Sequence, residues 1–172
     1  MNIKKKLIII VGLIIIIVGI LFYVLFEKNE INPNTQILVV NSYSNYAWGF
    51  QFRGTAIFDD GSILTWNNVK ESNSKIEYDI GTTEGFKQYI LNEGKLIIRK
   101  VSNNDLEKIN EQISKLEDKI ELTYSGADQG TSSIDVINTN NDKITLKCTG
   151  DCIGENQTLE SKEILRIVEK YF

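Results

Sequence analysis

The sequence predicts an α+β protein: a mainly antiparallel sheet packed against two or three helices, preceded by an N-terminal transmembrane helix. Three observations carry that prediction. Residues 7–26 form an unbroken apolar run, two extended runs meet at an Asp-Gly turn between Phe50 and Trp66, and helical apolar spacing recurs after Thr82, Asn104 and Leu159 among strand-like segments. Strands and helices do not alternate one for one, so a parallel βαβ arrangement is not expected. The sheet is expected to be covered on one face.

The apolar run comes first in the chain. At 1.5 Å rise per residue it reaches about 30 Å, the thickness of a bilayer's hydrocarbon core. Lys4, Lys5 and Lys6 stand directly before it, while Glu27, Lys28, Asn29 and Glu30 follow with little net charge. The positive-inside rule then places residues 1–6 in the cytoplasm and the remainder outside. The run ends in Tyr23, Val24, Leu25 and Phe26 rather than in the small residues of a signal-cleavage site, so an uncleaved single-pass anchor is predicted. Residues 27–36, polar and holding Pro33, read as a stalk, and residues 37–172 as one extracytoplasmic domain.

Within that domain Ile37, Leu38, Val39 and Val40 open a β-rich stretch. Alternation through Phe52, Gly54, Ala56 and Phe58, a turn at Asp60 and Gly61, and a second run at Ile63, Leu64, Thr65 and Trp66 make a β-hairpin. Residues 76–80 alternate as a further strand. Thr82 or Thr83 can cap a short helix carrying Phe86, Tyr89 and Ile90 and stopped at Gly94. Residues 95–101 suit a strand or a connecting turn. Leu106, Ile109, Ile113 and Leu116 follow helical spacing, and residues 120–124, 133–138 and 143–148 read as three strands. Ile164, Leu165, Ile167, Val168, Tyr171 and Phe172 give a closing helix from Leu159 its apolar stripe, with Glu160 near its start and Arg166 and Lys170 near its end, as the helix dipole favours.

Composition excludes several functions. The chain holds no histidine and two cysteines, which removes Ser-His-Asp and Cys-His catalysis, His-ligated zinc and a four-cysteine metal site. With Lys4, Lys5, Lys6 and Glu27 set aside, 16 basic residues face 22 acidic ones, and a nucleic-acid partner is not expected.

Four groups of residues are candidates for a specific role. Cys148 and Cys152, separated by a turn-forming Thr-Gly-Asp and placed in an oxidising compartment, are expected to form a disulfide rather than a redox-active pair. Asp128 lies in one small, acidic loop, and Asp151, Glu155 and Asn156 in another. Were the strands between them to form a meander, their oxygens could hold a polar ligand or a cation such as Ca²⁺, although turn and capping roles suit the same residue types better. Asp128, Asp151 and Glu155 are also the carboxylates that a small envelope hydrolase would use. Tyr46, Trp48 and Phe50 form an aromatic group that is either core or a flat stacking surface, with core favoured.

The helix from Asn104, the Asp128 to Gly130 turn, Gly150 and Asp151 with Asn156, the final helix, and the earlier Trp48-Gly49 and Asp60-Gly61-Ser62 together resemble small secreted or membrane-anchored proteins of low-GC Gram-positive bacteria, a group without an assigned function. The likeness spans most of the outer domain and consists of short turn signatures. It implies a bacterial, extracytoplasmic setting, carries no catalytic residue across, and does not include Cys148 and Cys152. The resulting expectation is a membrane-tethered, non-enzymatic binding or interaction module of the bacterial envelope. Its partner would be another envelope protein or a cell-wall polymer; the alternative is the carboxylate hydrolase.

Overall fold

The computed structural model describes residues 31–172 apart from 33, 48, 49, 71–79, 98 and 127. The expected tail 1–6, the anchor 7–26, the start of the stalk, Trp48 and most of the strand expected at 76–80 lie outside the described residues. Among the described residues, no helix is long and apolar enough to cross a membrane.

Among the described residues eight strands form one antiparallel sheet: β1 (Ile37–Asn45), β2 (Phe50–Phe58), β3 (Ile63–Lys70), β4 (Lys95–Ile97), β5 (Thr123–Tyr124), β6 (Thr131–Ile137), β7 (Lys143–Gly150) and β8 (Cys152–Glu155). Their order is β4-β3-β2-β1-β6-β7-β8-β5. Among the described residues three helices accompany them: α1 (Thr83–Glu93), α2 (Asn103–Ile113) and α3 (Leu159–Val168). The α+β class with an antiparallel sheet is therefore observed.

The expected one-sided cover gives way to two. Ile37 to Val40 are buried consecutively, as are Ala56, Ile57 and Phe58. Neighbouring residues in a strand point to opposite faces, so consecutive burial requires apolar material on both. Val39 pairs with Ile57 and with Val136, Ile57 with Ile63, and Val136 with Ile144, making one aliphatic row across five strands. Onto this row pack Ile109 and Ile113 of α2 and Ile164, Ile167 and Val168 of α3. On the opposite face Val40, Ala56 and Leu64 form the corresponding row, and Phe52, Trp66 and Phe58 join Tyr89 and Ile90 of α1.

Local chemistry sets the helix ends. The Thr82 hydroxyl accepts from the Gly85 amide at 3.1 Å, and the Gly94 amide donates to the Ile90 carbonyl at 2.8 Å, as the sequence predicts for α1. Ser102 and Thr158 cap α2 and α3 in the same way. α2 closes at Ile113, and the spacing that continues to Leu116 belongs to the turn beyond it. In β7 the register shifts where Ile134 meets Lys147 and Asp135 meets Thr145, so Leu146 is the extra residue of a bulge and its side chain is fully buried.

Candidate functional site: a hydroxyl-floored cleft beside α1

The row of residues on β1 and β6 that faces the α1 side changes character along its length. Val40 is core, and from there Ser42 and Ser44 on β1 lie opposite Ser133 and Thr131 on β6. Strand alternation points all four hydroxyls to the same face as Asp135, two residues further along β6. They floor a cleft of about 370 Å³ whose mouth is bounded by the start of α1.

Around Ser42, Ser133 and Asp135 the floor is a connected polar network. The Ser42 and Ser133 hydroxyl oxygens are 3.3 Å apart. Ser133 donates to Asp135 Oδ2 at 2.8 Å, and Thr145 donates to Asp135 Oδ1 at 2.7 Å. Lys143 Nζ lies 3.7 Å from Asp135 Oδ2. Asp135 is only 4 % exposed, and a carboxyl group so buried requires partners for its oxygens, which these three side chains supply.

Aromatic rings make the wall. Phe86 of α1 meets Phe52 edge-on at 5.9 Å between centroids, and Phe52 is backed by Trp66 at 5.5 Å and Tyr89 at 5.4 Å. Burial pushes the Tyr89 hydroxyl above its ordinary pKa, partly opposed by the hydrogen bond from Asn68 at 2.6 Å, so the phenol stays protonated behind the wall. The Thr83 hydroxyl donates to the Asn141 carbonyl at 3.1 Å, tying the beginning of α1 to the β6–β7 turn and fixing the width of the cleft.

The acidic and cysteine residues singled out from the sequence lie elsewhere. Strands β6, β7 and β8 do form a meander, and it brings Asp151 to the Asp128 loop. The Asp151 carboxylate there accepts from the amides of Gln129 at 2.9 Å and Gly130 at 3.1 Å, the work of a turn-holding carboxylate. Gly150 makes the approach feasible: its φ is +98°, and a Cβ at that position would collide with the Gly130 carbonyl. Asp128 is exposed. Glu155 lies 3.9 Å from Lys147, and Asn156 is fully buried, donating to the Glu117 carbonyl at 2.9 Å and accepting from Thr158. Among the described residues, no group of three or more acidic or cysteine side chains gathers as a metal site would require.

Cys148 and Cys152 stand at disulfide-bonding distance, with Cα atoms 5.7 Å apart. Of the aromatic trio, Phe50 is buried against Phe52 and Tyr46 is 63 % exposed at the rim of the cleft. Sequence reasoning missed Ser42, Ser44, Thr131, Ser133, Asp135 and Lys143. Their signal was polar residues recurring at period two inside strands, visible in each strand alone but meaningful only once β1 and β6 are paired.

No family profile, curated protein or solved structure matches this chain.

Proposed function

We propose that this protein is a non-enzymatic binding module of the bacterial envelope, tethered by residues 7–26 at the outer face of the membrane and acting by contact with an envelope protein or a wall polymer. The observation that carries this reading is the cleft itself. The Ser42 and Ser133 hydroxyls, the Asp135 carboxylate and the rings are already held in place by mutual hydrogen bonds and packing, so a ligand meets a largely preformed surface and little ordering free energy is lost on binding. The tether supports the same reading, because confinement at a membrane raises the effective concentration of envelope partners and lets modest affinity suffice.

A photo-crosslinking residue in place of the exposed Tyr46, in the full chain in living cells, tests the proposal. Adducts to an envelope protein or to wall polymer are expected, together with digestion of a C-terminal tag by protease added to intact, wall-stripped cells. A tag protected until lysis, or the absence of any adduct, would overturn it.

A further inference from the structure

We infer that the cleft binds a neutral saccharide unit, an inference that rests on the reading of the chain as a binding module. The floor is the first reason. Ser133 spends its proton on Asp135 and Ser42 its own on Ser133, so these two offer lone pairs to a ligand's hydroxyls, while Ser44 and Thr131 can donate as well as accept, and sugar hydroxyls can complement both. Asp135, almost wholly buried, takes one hydroxyl on each oxygen, from Ser133 and Thr145, and so fixes how the Ser133 hydroxyl is turned at the floor.

Charge is the second reason. Asp135 and Lys143 are the only charged side chains among the described residues that line the cleft, and they lie close enough to offset one another. Among the described residues a phosphorylated or uronic ligand would find no surplus cation, whereas a neutral one needs none. An apolar peptide would fit worse still, because it would cover the hydroxyl floor without replacing the hydrogen bonds the floor makes to water.

Shape is the third. Phe52 and Phe86 wall the cleft and Tyr46 stands exposed at its rim, placing aromatic surface beside the hydroxyl floor. A pyranose ring has apolar C–H faces and a hydroxyl edge, so one ring can satisfy both surfaces at once. The volume lies in the lower part of the roughly 300–1,000 Å³ range of ligand pockets, suited to a short saccharide segment.

Isothermal titration of the full chain in nanodiscs tests this directly, with oligomers of glucose and of N-acetylglucosamine as neutral probes and uronate oligomers of equal length as the charged comparison. Neutral oligomers are expected to bind in preference to uronates. Ser42→Ala combined with Ser133→Ala, and separately Phe86→Ala, should each weaken binding by about tenfold or more, the loss anticipated when a few hydrogen bonds or a ring contact disappear. Ser133→Thr should retain most of the affinity, and Arg53→Ala, on the opposite face of the sheet, all of it; unchanged circular dichroism shows that each variant is folded. Equal or tighter uronate binding, or insensitivity to both cleft variants, would overturn the inference. No binding of any oligomer while Tyr46 still crosslinks to an envelope protein in cells would sink the saccharide alone, and failure of both experiments would remove the module reading as well.

Discussion

The two faces of the sheet use the same strands to opposite ends. Under α2 and α3 the surface is aliphatic, and Val39, Ile57, Val136, Ile164 and Ile167 are wholly removed from water. Under α1 the buried part mixes aliphatic residues with the rings of Phe50, Phe52, Phe58, Trp66 and Tyr89 and ends at a hydroxyl floor. The difference follows from how far helices reach. A helix is about 10–12 Å across and strands are spaced by about 4.8 Å, so one helix shelters two or three strands and two helices about twice as many. α1 packs against β3 and its neighbours, and the α1-facing side of β1 and β6 beyond Val40 passes out of its shelter. Residues there must tolerate water, and serines and threonines do so without breaking strand geometry. The place where, among the described residues, the cover of α1 runs out is thus also the place where the sheet presents hydroxyl groups.

The sharpest way to break this contrast is to excavate the aliphatic side. Ile167→Ala should destabilise the domain by about 2–5 kcal/mol, because α3 and the sheet can close only part of the resulting cavity. Urea denaturation measures the loss, and the folded fraction should bind its ligand as before. Ser42→Ala should do the reverse, costing less than about 1 kcal/mol of stability while weakening binding. A Ser42→Ala cost equal to that of Ile167→Ala would mean that the floor is core and the contrast false.

The Cys148 and Cys152 pair sharpens the comparison from the other side. Cys148 is the register partner of Ser133, so a bond there braces the strand beneath the cleft. Non-reducing mass spectrometry should find both thiols consumed, and alkylation of both without reductant would exclude the bond. Replacing both cysteines with serine should cost up to about 2 kcal/mol by the chain-entropy relation for so short a ring. Hydrogen exchange should locate the loosening in β6, β7 and β8 and leave α3 unchanged.

How much of this was legible in the sequence depended on sequence distance. The β2–β3 hairpin was readable because alternation and its Asp60-Gly61 turn lie within one short window, and α1 because Thr82 and Gly94 mark its two ends. β1 was legible only at its apolar start: Asn41 to Asn45 look like loop residues, yet pairing with β2 on one side and β6 on the other keeps them extended. β8 has no apolar alternation, and β5 is two residues long, so both are strands by virtue of their neighbours. Two-sided cover was encoded in the consecutive burial of Ala56, Ile57 and Phe58, which resembles a plain apolar run until its periodicity is asked to serve two faces. The cleft was the least legible feature, because Ser42 and Ser133 meet across 91 residues and neither strand marks its partner. Asp128 and Asp151 drew attention instead as acidic loop residues, and Asp151 serves the meeting of two turns.

The narrowest test of the comparison concerns the joint between α2 and α3. Asp105, in the first turn of α2, accepts from the Tyr171 hydroxyl at 2.7 Å and from Lys170 Nζ at 3.2 Å, and Arg99 lies over the Tyr171 ring at 4.9 Å. The hydrogen bond from Tyr171 and, after it, the contact with Lys170 hold the Asp105 carboxyl below the ordinary aspartate range, against the opposing effect of burial. A depressed folded-state pKa stabilises the native protein above the unfolded value of about 3.9, and the contribution is lost as pH falls through the folded value. Acid should therefore loosen the aliphatic side first, below about pH 4. Asp105→Asn should lower stability at neutral pH by roughly 1–2 kcal/mol and should flatten the acid limb of the stability profile relative to the parent chain. Urea midpoints measured from pH 7 down to pH 3 would show this, and parallel acid limbs in the two proteins would mean that the clamp contributes nothing specific. The cleft side, whose contacts do not include Asp105, should keep its exchange protection until global unfolding, which returns the test to the difference between the two faces.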